Sequence, residues 1–302
     1  MAPMIKHPHG GPLKHPRLVM KALYYGMRWR LKRLLGIKDA PNVNVLASGV
    51  HKATERHGRI CRTLLAHLPD PSALRGANVA EIGCGDCLAA ADMMLGLGAS
   101  RVFLVDRQPI VISPLHREVL RPLAEDPTLP NRAEILSPGD EPSLDPAKAS
   151  AHHGLLEEVG IPAPVSMVYS FDVVEHVEDL DGFFSCCYRM LTPGGISLHK
   201  FDLSGHEFFE DPLPPLDFQT YPTWLFNLIF PKYRRAAGHF ADTILESMKR
   251  QGFQIESVIP IRTAEEGYLS EIWQSLRKEA RLRDPETVGL LDVIVVARKP
   301  SA

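Results

Sequence analysis

The sequence predicts an α/β protein built on a mainly parallel β-sheet with helices on both faces. Two observations carry this reading. Short apolar runs of strand type alternate with helical stretches along the chain, and parallel strands need such crossovers. A glycine-bearing loop, "GCGDC", directly follows the first of these runs, where a strand of such a sheet hands over to its first helix.

The elements follow in order. Residues 1–16 are rich in Pro, Gly and His and read as irregular. Residues 17–35 read as a helix, because Met20, Tyr24, Met27, Leu31 and Leu34 recur at spacings of four and three. A second helix is expected over 47–68. The first strand spans 78–82, and an Ala- and Met-rich helix runs from the glycine loop to Leu97, with Gly98 as its C-terminal cap. "RVFLVD" is the second strand, ending at Asp106. Residues 107–125 contain a helix, and six prolines between 122 and 146 mark a loop-dominated insert over 122–150. "VSMVYSFDVVEHV" is a strand running into a loop. The helix over 180–191 is stopped by "TPGG", and "ISLHKFD" is the next strand. An aromatic-rich segment, 205–237, is expected to cap the sheet. A helix ending at "KRQGF", a strand over 255–261, a helical insert and a last strand "LLDVIVVARK" complete the chain. No internal repeat is present.

The composition narrows the class. At 302 residues, 45% hydrophobic and 23% charged, the chain has an ordinary globular makeup. No apolar run approaches the roughly 18 residues of a membrane span, and no signal-peptide pattern opens it, so a cytoplasmic location is expected. Its five Cys read as free thiols. Cys84 and Cys87 form a C-x-x-C with no second pair to complete a zinc site, so no metal site is expected. Residues 1–38 carry nine Lys or Arg and no acid, which leaves 25 basic and 36 acidic residues for the remainder. An acidic body argues against nucleic acid as a partner.

The glycine loop separates two chemistries. A dinucleotide site calls for G-x-G-x-x-G and an uncluttered helix N-terminus for the pyrophosphate. Here Leu88 stands at the third glycine position, and Asp86 adds negative charge. A cofactor with a sulfonium and an ammonium, and no phosphate, tolerates or benefits from such acids. Glu81 fits that requirement. Asp106, at the end of the second strand, suits ribose hydroxyls in either class. The plainer alternative is a tight turn at the glycines, with Asp106 capping a helix.

On these residues the sequence resembles the class I S-adenosylmethionine (SAM)-dependent methyltransferases, of the methyltransferase type 11 or ubiquinone-type group. "EIGCGD" resembles their first motif, "RVFLVD" their second-strand acid, "SFDVVEHV" their fourth-strand motif and "LTPGG" the turn before the fifth strand. The resemblance covers roughly 75–300. It implies a Rossmann-like, seven-stranded sheet whose last strand is antiparallel, within a methyltransferase domain spanning 46–302 after a basic extension, 1–45. It implies SAM as cofactor, lined by Glu81, Gly83, Cys84, Gly85, Asp106, Arg107, Ser170 and Phe171. Cys87 departs from the family's third glycine, and the loop is expected to survive because Cys is small.

A second stretch, "LHKFDLSGHEFF" with the aromatic segment after it, resembles methyltransferases encoded with bacterial cell-surface polysaccharide pathways. The expected acceptor is a small-molecule or carrier-linked hydroxyl. A phenolic acceptor of ubiquinone type, a non-catalytic SAM-binding protein and a nicotinamide oxidoreductase remain alternatives. His206, His199 and Asp202 follow the fifth strand and are the candidate catalytic residues, with His206 as base and Asp202 orienting it. His176, Tyr221, Trp224 and Arg234 are candidate acceptor contacts, and Glu175 with His176 could alternatively meet a divalent ion. The aromatic segment reads either as a lid or as a packed subdomain. The helix over 17–35 reads either as a peripheral contact with the inner membrane surface or as an extra core helix.

Overall fold

The computed structural model of the chain describes residues 16–35, 44–130, 135–161, 164–205, 215–222, 224–225 and 239–301. Seven strands form one sheet among them: β1 (Asn78–Ile82), β2 (Arg101–Asp106), β3 (Ala149–His153), β4 (Val165–Phe171), β5 (Leu191–Asp202), β6 (Gln254–Thr263) and β7 (Leu290–Arg298). Their order across the sheet is β3-β2-β1-β4-β5-β7-β6. The pairs among β1 to β5 are parallel, and β7 runs antiparallel between β5 and β6. The chain builds outward from β1 through β2 to β3, then crosses back to β4 on the other side. The topological switch point therefore lies between the carboxyl ends of β1 and β4, where open α/β sheets bind ligands.

Both faces of the sheet are covered. The helices are α1 (Pro16–Leu34), α2 (Val50–His67), α3 (Ala89–Gly96), α4 (Pro114–Ala124), α5 (Leu180–Met190), α6 (Ala241–Arg250) and α7 (Glu266–Ile272), with short helical turns between some of them. Alternation along the strands divides the interior in two. Val79, Leu104, Met167, Tyr169 and Leu198 face a core with α2, α3 and α4. Ala80, Phe103, Val168, Phe201 and Val295 face a second core with Phe183 and Phe184 of α5 and Ile244 and Met248 of α6. A third cluster joins Leu216, Phe218, Tyr221 and Leu225 to Phe240, Leu269 and Ile272, and Leu23 of α1 packs against it.

Local chemistry explains most boundaries. The expected helix over 47–68 is broken at Gly49, whose φ is 97°, into a turn (Asn44–Ala47) and α2. The helix expected within 107–125 begins at Pro114, after a Ser113 cap that pairs reciprocally with His116. Gly98 ends α3 with φ 104°, as expected. Between α4 and β3 the described residues of the Pro-rich insert hold an isolated bridge between Leu136 and Leu144, and the buried Asp92 carboxylate anchors it by accepting from the Ile135 N–H at 2.8 Å. The expected strand list lacks β3, an edge strand of Ala, Ser and His. β5 starts earlier than expected, taking in "TPGG". Among the described residues no helix is long and apolar enough to cross a membrane.

Phe184 is fully buried and meets Phe183, Phe253 and His199 edge-on at 5.1 to 6.4 Å between ring centres. Phe184→Ala is expected to cost about 3–5 kcal/mol in denaturant unfolding. A loss under about 1 kcal/mol would show that α5 can collapse onto the gap.

Candidate active site

The loop between β1 and α3 is a sharp reversal. Gly83 and Gly85 have φ of 72° and 57°, in the left-handed region that side chains disfavour. A Cβ on Gly83 would stand 2.3 Å from Val173 Cγ2. The Gly83 N–H donates to the Val105 carbonyl at 2.7 Å, and the Gly85 N–H donates to Asp106 Oδ2 at 2.8 Å. Asp106 Oδ1 accepts from the Gln108 N–H at 2.7 Å. One half-buried carboxylate thus holds the glycine loop against the end of β2. Arg107 beside it is exposed.

Glu81 lies beneath this loop with 5% of its surface exposed. Its Oε2 accepts from the Tyr169 hydroxyl at 3.0 Å. Burial pushes its carboxyl up to about 8, against the Tyr169 hydrogen bond and with help from the Asp106 charge. Cys84 and Cys87 are buried, and burial likewise raises both thiols. Cys87, at the position of the missing glycine, donates its N–H to the Cys84 carbonyl at 2.9 Å, so the turn closes. Among the described residues no group of three or more His, Cys, Asp or Glu could hold a metal ion.

Asp86 is 3% exposed, and its Oδ2 accepts from the Leu46 N–H at 2.9 Å. This hydrogen bond ties the turn before α2 to the glycine loop. The "GCGD" pattern carried no signal for that role, because the partner is a backbone amide forty residues away.

Three expectations, for His199, Ser170 and Tyr221, are corrected. His199 has no exposed surface and sits between Ser170 (Oγ to Nδ1, 2.7 Å) and Ser197 (Oγ to Nε2, 2.7 Å), with Phe183 and Phe184 around its ring. Burial drives its pKa down to about 3 and keeps it neutral, and with no exposed surface it cannot reach an acceptor. Ser170, also fully buried, spends its hydroxyl on that contact and turns away from the crevice. Tyr221 belongs to the third cluster at 2% exposure, and burial next to Asp217 lifts its hydroxyl to about 12. The packed reading of the aromatic segment therefore holds for Tyr221, whereas Trp224 is 68% exposed. Phe171 is half-buried at the end of β4, and His176 is half-buried in the turn after it. His206 and Arg234 lie outside the described residues.

A charged network borders the crevice along β4, β5, β6 and β7. Lys200 donates to Asp172 at 2.5 Å and to Asp292 at 2.8 Å. Arg262 bridges Asp292 at 2.6 Å and Asp202 at 3.3 Å. Asp202 also accepts from the Ser204 N–H and hydroxyl at 2.8 and 2.6 Å. Glu175 is fully buried, and its Oε1 accepts from the Asp202 N–H at 3.2 Å. Burial and the Asp172 charge hold its carboxyl well above the usual range. Asp172 itself has φ 55°, a conformation Asp adopts more readily than most residues.

Sequence reasoning passed over a basic stripe on α2. Lys52, Arg56 and Arg59 are exposed at helical spacing, and with Ser48, Glu55, Arg62 and Thr63 they line a groove of about 770 Å³. Arg62 pairs with Asp126 at 2.8 Å, and Arg56 reaches within 4.0 Å of Asp172, at the carboxyl end of β4. The i, i+4, i+7 spacing of 52, 56 and 59 was the available signal.

The donor set suits a cationic cofactor. The loop offers glycine backbone, two carboxyl groups and no Lys or Arg. Comparison with known families agrees, since a family model described as a methyltransferase domain matches residues 80–198. Over residues 80–198 the chain is similar to the SAM-dependent methyltransferases. A SAM-dependent methyltransferase of Mycolicibacterium smegmatis is 42% identical over 52 residues, 17% of this chain and 20% of the relative. The match thus spans about a fifth of that relative's length. Among solved structures, a SAM-dependent methyltransferase from Mesorhizobium loti has 18% identity and a TM-score of 0.44, covering 83% of this chain and all of its own. One from Listeria monocytogenes has 15% identity and a TM-score of 0.45, covering 82% of this chain and all of its own.

Gly83→Val is expected to abolish SAM binding by forcing a side chain into Val173. Asp106→Ala is expected to weaken it about 10- to 100-fold, the range for losing hydrogen bonds to a charged group. Calorimetry with SAM reads both, and wild-type affinity in both variants would remove the loop from the cofactor site.

Proposed function

We propose that the protein methylates a hydroxyl on a small-molecule, sugar or lipid-linked acceptor, using SAM. The observation that carries the reading is the acidic glycine loop at the switch point, with Glu81 and Asp106 placed for a cofactor that is positively charged and has no phosphate. Glu81, Gly83, Cys84, Gly85, Asp106, Arg107 and Phe171 would hold it, Asp106 through the ribose hydroxyls and Glu81 through the nearby cationic groups. When bound, SAM supplies a methyl carbon activated by its sulfonium. An acceptor oxygen held in line with that carbon would take the methyl group as the carbon–sulfur bond breaks, with S-adenosylhomocysteine as the product and the acceptor's proton passing to a base.

The protein's part is to align and to accept a proton. Alignment alone can supply roughly 7–11 kcal/mol. His206 is the proposed base, and a base of this kind adds about 10²- to 10⁴-fold. Asp202, four residues earlier and tied to Ser204 and Arg262, would position the segment that carries it. His176, Trp224 and Arg234 complete the proposed acceptor contacts. The groove beside Asp172 supports an acceptor bearing phosphate, because Lys52, Arg56 and Arg59 put positive charge there on an otherwise acidic body. A lipid-linked acceptor of that kind would sit at a membrane surface, which brings in the peripheral contact expected of residues 17–35.

The test is release of S-adenosylhomocysteine from SAM with phosphorylated sugars, nucleotide sugars, polyprenyl-phosphate sugars and simple phenols as acceptors. Turnover is expected with a phosphate-bearing acceptor. Arg59→Glu is expected to raise its KM at least about 10-fold, the lower end for a charged hydrogen bond, and to leave SAM affinity unchanged. Turnover confined to the phenols would move the assignment to the ubiquinone-type reading. Binding of SAM with no turnover on any acceptor would favour a non-catalytic SAM-binding protein.

A further inference from the structure

The helix α1 is amphipathic, and it is docked with its apolar stripe outward. Leu23 packs against the third cluster, and Gly26 is buried. Among the described side chains of α1, these two mark the inner side of the helix, with half-buried Arg30 between them in projection. Met20 (65% exposed), Tyr24 (56%), Met27 (59%), Leu31 (58%) and Leu34 (84%) lie in water, followed by Leu35 (64%). With 3.6 residues per turn, the first five fall within an arc of about 80°. Over 19 residues the helix is about 28 Å long. An outward apolar stripe of this length is not what a helix docked only for its own fold displays, and such contiguous patches mark interaction surfaces.

The charge pattern says what covers it. Residues 16–35 contain six Lys or Arg and no acid. Arg17, Lys21, Arg28 and Lys32 occupy positions along one edge of the stripe, and Arg28 is exposed. An apolar stripe bordered by a basic row matches a bilayer surface bearing anionic headgroups. An antiparallel two-fold contact between two copies of α1 would instead set basic row against basic row. A second observation lies outside the helix. Trp224 is 68% exposed, although its neighbour Leu225 is buried in the cluster that receives Leu23. An exposed Trp on the same subdomain suits the headgroup level of a membrane.

We infer that the outward face of α1, with Trp224, seats the protein on an anionic membrane surface. The inference deepens the lipid-linked arm of the proposed function, but it is read by binding alone and can fail while methyl transfer stands.

The experiment is flotation of the full chain with vesicles of phosphatidylcholine, with and without phosphatidylglycerol. Wild type is expected to float with the anionic vesicles at low salt, to remain below with the neutral ones, and to be released as salt screens the basic row. Met27→Glu with Leu31→Glu is expected to stop flotation and leave SAM affinity unchanged, which shows an intact fold. Trp224→Ala is expected to weaken flotation. Equal flotation of wild type and the double variant overturns the inference, as does equal binding to neutral vesicles. Absence of flotation, with sedimentation showing a dimer that the double variant dissociates, would reassign the face to a second copy of the chain.

Discussion

The Tyr169 hydroxyl donates to the Glu81 carboxyl across the seam where β1 and β4 pair, and the two residues are direct partners in the register. This seam is the switch point of the sheet, so whatever fixes it fixes the crevice above. A buried carboxyl needs a partner, and an ionised one needs more than a single hydroxyl. Glu81 meets the condition by holding its proton, its pKa lifted to about 8 by burial. The loop that follows is then constrained from its other end, where Asp106 accepts from the Gly85 N–H. One carboxyl beneath the loop and one beside it set its path, and the glycines supply backbone angles that no other residue adopts cheaply.

The opposite wall of the crevice is organised by charge. Lys200, at the end of β5, is shared by Asp172 and Asp292, and Arg262 links Asp292 to Asp202. Four strands, β4, β5, β6 and β7, are joined at their ends by side chains that are partly shielded from water, which strengthens each pair relative to an exposed one. Asp172 holds a left-handed backbone there, and its N–H donates to the Lys200 carbonyl at 2.9 Å. The segment after β5 thus leaves the sheet from a fixed base, which suits an acceptor wall.

Much of this was legible in the sequence where local chemistry decides. β1 and β2 have the predicted ends because apolar runs stop at the glycine loop and at Asp106. Gly98 closes α3 because a left-handed residue ends a helix most cheaply when it has no side chain. His199 was misread for a reason particular to parallel sheets. Both faces of β5 are buried, so alternation does not separate a core histidine from a site histidine. Its partners, Ser170 and Ser197, identify it only once β4 and β5 are in register. β3 escaped notice because "ASAHH" at a sheet edge has neither β-branched residues nor an apolar run. The periodicity of α1 showed an apolar stripe but not its direction, since direction depends on Leu23 and Gly26 finding a surface to meet.

The central claim is that a neutral, buried Glu81 lies under the loop to receive a cationic cofactor. Bringing an ammonium or sulfonium near that carboxyl lowers its pKa, and the proton passes to the buffer. A carboxyl titrating at about 8 is roughly nine-tenths protonated at pH 7. Calorimetry of SAM binding at pH 7 in buffers of different ionisation heat counts the protons released. The account expects wild type to release about one more proton per SAM than Glu81→Gln. Equal proton release by the two proteins, with SAM bound in both, would contradict it.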